Sequence, residues 1–335
     1  MPDIDCVTLA LSTPAPSADT GVEVVFLRDP SDHIAASADL FRSPAFFRVH
    51  ASAWERAWFA AALDASNGRC IASTWFAEAA PGHAYSGVRA PYGGFHASHD
   101  PLPIDLCRRV VGAAEDELRA RDIHHVTLTL PPAVHDGEAH AQWMNVLLRA
   151  GYHPVAPDLS YHLVVSASEL DGRMSADNRA MLRGSGRKGL SARPLRESEV
   201  AGAFELTAAF RARRGRRMPM SLDALLELGA SVPGALHWFG VFAGERLIAA
   251  SAVLRVSPDA LHVLTTGELE GGERTSPAPL LTACMYAWCR DHGIELLDAG
   301  IASEAGVPNE DQMQRFHGLG FEMSPRYTLE RELPA

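Results

Sequence analysis

The chain lacks most of the residue patterns that betray a function at sight. Its five cysteines (Cys6, Cys70, Cys107, Cys284 and Cys289) are odd in number, scattered, and never spaced C-x-x-C. That excludes a zinc ribbon or a dithiol redox motif and suits a reduced, cytoplasmic protein. No apolar run approaches the roughly 18 residues that a membrane span needs. The first 20 residues hold Asp3 and Asp5 but no basic residue, so neither a signal peptide nor a span is expected there. Lysine is nearly absent, Lys188 being the only one, and the net charge of −11 argues against broad binding to nucleic acid or an anionic membrane.

What the chain does have is an internal repeat. One copy carries Leu118 to Ile123, a strand-like run through Val126, Leu128 and Leu130, a gap, and a helical stretch closing on Gly151 and Tyr152. The other carries Cys289 to Ile294, a strand-like run through Leu296, Asp298 and Ile301, a gap, and a helical stretch closing on Gly320 and Phe321. Each reads helix, strand, loop, helix, Gly-aromatic, strand. Repeats this long mean two packed α/β units, because a solenoid needs three or more shorter ones. The expected division is a flexible lead-in over 1–20, one unit over 21–166, and a second over 167–335 with a basic helical insert at 176–230.

Residues 22–26 read as a first strand, 43–64 as an aromatic-rich helix, and 69–78 with 83–88 as paired strands about a Pro-Gly turn. A helix at 103–121, a strand at 124–130, a helix at 138–150 and a strand at 159–165 complete the first unit. In the second, helices are expected at 176–187, 198–213 and after Ser221, and strands at 236–242, 246–256 and 260–268. A further helix opens at Ser276 and stops at Gly293. The fold class is therefore α/β, an α+β mixed sheet with helices on its faces.

This order of elements resembles the GNAT acyltransferase fold, and two copies in one chain resemble its FemAB-like branch. The likeness rests on Asp298, Gly300, Ser303, Glu304 and Asn309 with the helix to Phe321; on Thr207 to Pro219 with Arg213, Arg214 and Gly215; and on the basic stretch from Asn178 to Leu190. Together with Pro91 to Phe95, it spans most of residues 22–331. The Ala302-Ser303-Glu304 order departs from the family's commoner register, and the segment from Gly267 to Pro277 lacks the glycine-rich pyrophosphate loop of a typical GNAT. FemAB-like proteins depart from that loop too.

The resemblance implies transfer of an acyl or aminoacyl group to an amine in a groove between the units, the second supplying most of the chemistry. Asp298 and Glu304, at and beyond a strand end, are the candidate bases, with Ser303 between them. No G-x-S-x-G elbow frames Ser303 as a hydrolase nucleophile. Thr265, Thr266 and Gly267 would line the acyl carbonyl, Gly267 admitting a ligand closely. Arg187, Lys188 and Arg214, among the arginines from Arg183 to Arg217, would form a basic pocket for donor phosphates. Tyr92, Gly93, Gly94 and Asn309 are substrate-side candidates, the glycines as a loop closing over it. No tightly bound cofactor is implied. The donor would be an acyl-CoA co-substrate or an aminoacyl-tRNA, and the acceptor a small amine or an amino-sugar peptide. His96, His99, Asp100, His135, Glu138 and His140 are ligand types without a matching set, so no metal is expected. A binding protein that kept the fold and lost the chemistry stays open as the alternative.

Overall fold

The computed structural model describes residues 21–34, 39–98, 102–270 and 276–334; the expected lead-in lies outside the described residues. The first half runs β1 (Val22–Leu27), α1 (Pro44–Ala51), β2 (Ala57–Asp64), β3 (Cys70–Ala80), β4 (His83–Ser86), β5 (His96–Ala97), α2 (Ile104–Arg119), β6 (His125–Thr129), α3 (Gly137–Arg149) and β7 (His153–Val164). The second begins α4 (Ala176–Gly184), β8 (Leu190–Pro194), α5 (Glu197–Ala212), α6 (Leu222–Ser231), β9 (Leu236–Ala243), β10 (Arg246–Arg255) and β11 (Ala260–Glu268). It continues with α7 (Ala278–Asp291), β12 (Leu296–Ile301), the short pair β13 (Ser303–Glu304) and β14 (Val307–Pro308), α8 (Glu310–Gly318) and β15 (Glu322–Glu332).

One expected element changes identity. Residues 43–64 are not a single helix: Ser43 caps α1 by accepting from the Phe46 amide, the helix ends at Ala51, and β2 follows. Strand β2 lies between β1 and β3 and is buried on both faces, so its alanine-rich run has no period-2 alternation to announce it.

Among the described residues every strand but the separate pair β13–β14 joins one sheet in the order β1-β2-β3-β4-β6-β15-β7-β12-β11-β10-β9-β8, with β5 beside β3. The two halves exchange their last strands. β7 leaves the first half to pair with β12 of the second, Leu297 opposite Leu163. β15 returns from the second half to pair with β6 of the first, Leu329 opposite Leu128. The two exchanged strands also pair with each other, Ser324 opposite Ser160.

Three apolar cores follow from the side-chain periodicities. Leu106, Val110, Val111, Ala114 and Leu118 form one stripe of α2 and pack on the first half of the sheet with Trp143, Val146 and Leu147 of α3. On one face of the second half, Leu281, Met285 and Cys289 of α7 cover Phe239, Val241 and Val253. The third core joins the halves: Phe41, Phe46, Phe47, Trp75 and Tyr92 meet Leu225, Leu228, Trp238, Ala252 and Leu254. No helix among the described residues is long and apolar enough to cross a membrane.

Candidate functional site

Strands β11 and β12 run parallel but share only three register positions, the last joining His262 to Asp298. Beyond that pair they part: β11 continues along β10 to Glu268, and β12 along β7 to Ile301. Leu264 is an extra residue between the Ala252–Thr265 and Val253–Val263 pairs, a bulge on the strand that lines the opening.

Asp298 sits at the apex, 2 % exposed. Its Oδ2 accepts from Nε2 of His135 at 2.9 Å and from Nδ1 of His262 at 3.0 Å, while Oδ1 accepts from the Gly300 amide at 2.7 Å. Gly300, at φ +77°, makes this local turn, and the register of β12 against β7 shifts at the same point. Burial opposes ionisation of Asp298, but the His262 and His135 imidazoles outweigh it and hold the carboxyl well below its ordinary range. The second ring nitrogen of each histidine has no hydrogen-bond partner among the described residues. His162, opposite Asp298 on β7, is a third buried imidazole; burial keeps it below its ordinary value.

The first half covers this centre. His135 comes from the loop before α3, and its ring stands edge-on to Tyr92 at 5.2 Å. Tyr92 packs edge-on to Phe41, which packs edge-on to His262. The Tyr92 hydroxyl donates to Asp39 at 3.3 Å, and Asp39 pairs with Arg42 at 2.9 Å. Burial and the Asp39 carboxylate push the Tyr92 phenol far above its ordinary value, so it remains a donor. Beside this cluster lies a cavity of about 240 Å³ between the halves, lined from the first by Asp39, Arg42, His96, His135, His140 and Trp143 and closed by the 257–259 turn of the second.

The residues singled out in the sequence are placed as follows. Asp298 holds the centre, whereas Glu304 is exposed on the β13–β14 hairpin, not withdrawn from water. The Ser303 hydroxyl donates to Asp158 at 2.6 Å and accepts from the Leu159 amide at 2.9 Å, which occupies it structurally. Asn309 caps α8 by accepting from the Gln312 amide. Thr265 is buried with its hydroxyl unpartnered, while Thr266 shares a hydrogen bond with Ser251 at 3.1 Å. The close approach at Gly267 is made by α5: a Cβ there would lie 2.7 Å from Thr207 Cα.

Tyr92, Gly93 and Gly94 form no flexible lid. The Gly93 amide donates to the Thr129 carbonyl at 2.7 Å, and the Gly94 amide to Ser86 Oγ at 2.9 Å. These bonds seal the ends of the parallel pair β4–β6, the place that corresponds to the β11–β12 opening. Tyr92 is fully buried (0 %). The first half thus fills its own cleft with chain.

Nor do the basic residues gather into one pocket. Arg187 and Lys188 follow α4, whose Leu182 packs with α7, and border a shallow depression beside α4. Arg214 follows α5 on the opposite face of the sheet and stacks on Phe210, 3.7 Å from its ring centre. Residues 271–275 of the expected donor loop, and His99 and Asp100, lie outside the described residues. Among the described residues no three His, Cys, Asp or Glu side chains are arranged to hold a metal.

His262 went unrecognised in the sequence, and His135 was weighed there only as a metal-ligand type, not as a partner of Asp298. His262 carries a readable signal, since it occupies the same register position of the parallel pair as Asp298. His135, in a loop of the other half, carries none.

Comparison with known proteins agrees with this architecture. Residues 176–306 match the acetyltransferase (GNAT) domain family. No curated protein matches the sequence. Among solved structures, FemX superposes with a TM-score of 0.70 at 10% identity, covering 93% of this chain and 97% of that one. The C-terminal domain of a putative lysylphosphatidylglycerol synthetase from Agrobacterium fabrum gives 0.53 at 14%, covering 78% and 81%. L-PGS from Bacillus licheniformis gives 0.53 at 12%, covering 81% and 83%. The chain is thus a tandem of GNAT-like units with the fold of FemX, and residues 176–306 of its second half are the part that resembles the acetyltransferase (GNAT) domain.

Proposed function

We propose that the chain is an N-acyltransferase moving an acyl group from an activated donor to an amine, with its reactive centre where β11 and β12 separate. The observation that carries this reading is Asp298, buried and bonded to two imidazoles at the point of separation. Acyl transfer needs a base for the attacking nitrogen and donors for the developing oxyanion. Asp298 holds the Nε2 proton of His135 and leaves the other ring nitrogen, at the wall of the cavity, to take the proton from the amine. The acyl carbonyl would lie along the edge of β11 past His262, near the Leu264 bulge and Thr265, where among the described residues no strand pairs on the β12 side.

In this reading the second unit, 167–335, supplies the acyl groove and Asp298, and the first, 21–166, shapes the acceptor side and lends His135. The acidic chain favours a small thioester such as an acyl-CoA over a tRNA donor. Thermal unfolding with acetyl-CoA, longer acyl-CoAs, coenzyme A and aminoacyl-tRNA tests it, since a ligand at 100 times its Kd adds about 2.7 kcal/mol. Stabilisation by coenzyme A species, followed by release of free thiol with an amine present, is the expected result. Stabilisation by tRNA alone would move the donor to an aminoacyl ester. Silence with every donor would favour a binding protein that has lost its chemistry.

A further inference from the structure

Resting on that reading, we infer that the cavity between the halves is the acceptor site and takes a small cationic amine with an apolar or aromatic body, excluding amino acids and other anions. Its charges set the sign. Asp39 and Arg42 form a buried pair and cancel each other. Asp136 and Asp259 also line the cavity, and neither has a basic partner among the described residues: Asp136 caps α3 by accepting from the Ala139 amide, and Asp259 accepts from Ser257. The His96 and His140 imidazoles do not offset them. Burial, then the Arg42 charge, pushes His96 down to about 3, and burial lowers His140 as well, so both are neutral at physiological pH.

The walls set the body of the ligand. Phe95 stacks on Trp143 with ring centres 5.3 Å apart, and Leu130, Pro131 and Ala139 continue the apolar surface. A carboxylate on the ligand would find no arginine or lysine to spare among the described lining residues, because Arg42, the one arginine among them, already donates to Asp39 and to the Phe95 carbonyl. An amine held here lies against His135, whose Nε2 is on Asp298, so binding and proton removal meet at one side chain.

Calorimetry on the intact protein with benzylamine, n-butylamine, benzyl alcohol, phenylacetate and phenylalanine tests the assignment at neutral pH. The amines should bind at least about tenfold more tightly than the alcohol, the carboxylate or the amino acid. The double variant Asp136→Asn, Asp259→Asn keeps the helix cap, since asparagine caps as well as aspartate. It should weaken benzylamine about tenfold and leave benzyl alcohol unchanged. Binding of phenylalanine as tight as benzylamine, an indifferent double variant, or no binding by either amine overturns the assignment. Amine binding without transfer from any donor would sink the acyltransferase reading and leave this site standing. Transfer with a KM for amine untouched by the double variant would do the reverse.

Discussion

His135 and Asp298 stand 163 positions apart in the chain and 2.9 Å apart in space, one contributed by each half of the molecule. The carboxylate also takes His262, so a single buried charge orients two rings. If this pair takes the proton from the amine, Asp298→Asn and His135→Ala should each lower kcat by about 10²–10⁴-fold. The double variant should lose little more than the worse single one, because the two act as a unit. Rates are compared at temperatures where circular dichroism shows every variant folded. Losses that simply add would separate the two residues.

Ser303 offers the opposite test. Its hydroxyl bridges Asp158 and the Leu159 amide, and Asp158 in turn holds Arg326 at 2.7 Å. Ser303→Ala leaves a backbone N–H unsatisfied and should cost about 1–3 kcal/mol of stability. Turnover per folded molecule should not change. A variant that melts like the wild type but no longer turns over would make Ser303 part of the chemistry.

How much of this could be read from the sequence follows from which interactions are local. The helices with capping residues and apolar stripes, such as α3 behind Asp136 and α7 with Leu281, Met285 and Cys289, are legible because each is specified within about a dozen residues. Strand β2 is not, since burial on both faces erases its alternation. The repeat also carried the tandem arrangement, but not the exchange of β7 and β15, because either strand suits either partner by composition. At the site, Asp298 was visible through its glycine two residues on, whereas His135 depends on a loop folding across from the other half. Tyr92, Gly93 and Gly94 resembled a substrate loop for the same reason that they make a plug: small residues permit close approach, whoever the neighbour is.

Gly93 and Gly267 should be the least replaceable glycines. A Cβ on Gly93 would lie 2.6 Å from Ser86 Oγ, and one on Gly267 would lie 2.7 Å from the Thr207 backbone. Alanine at either position forces backbone apart and should cost about 1–3 kcal/mol. Alanine at Gly112 or Gly202, helix positions with nothing within 4 Å, should be neutral or slightly stabilising. Chemical denaturation distinguishes the two groups, and equal midpoints for all four would contradict the packing.

Stability should fall with acid at pH values above the ordinary carboxylate range. Burial, reinforced by the Arg42 charge at His96 and by the Arg89 charge at His50, pushes these imidazoles down to about 3 and about 4. In the unfolded chain they titrate near about 6.5, so between these values the unfolded state binds more protons. Their contribution is therefore complete above about pH 6.5 and is lost progressively as the pH falls towards 4. The melting temperature should drop from pH 7.5 to 5. In His50→Phe, which keeps a ring against Phe46, the slope should flatten. An unchanged slope would mean that His50 is not held neutral.

The strand exchange makes each half incomplete without the other. A fragment of residues 21–166 keeps β6 and β7, yet β6 loses its neighbour β15, and β7 loses both β12 and β15. A fragment of residues 167–335 keeps β12 and β15 but strips β12 of β7, and β15 of both β6 and β7. Open strand edges of this length pair with whatever chain they meet, so either fragment alone should aggregate or fail to melt cooperatively. Mixed during refolding, the two should recover one complex with a single transition, because each supplies the strands that the other lacks. Two independent transitions, or a fragment that melts cooperatively by itself, would show that the exchanged strands do not bind the halves into one folding unit.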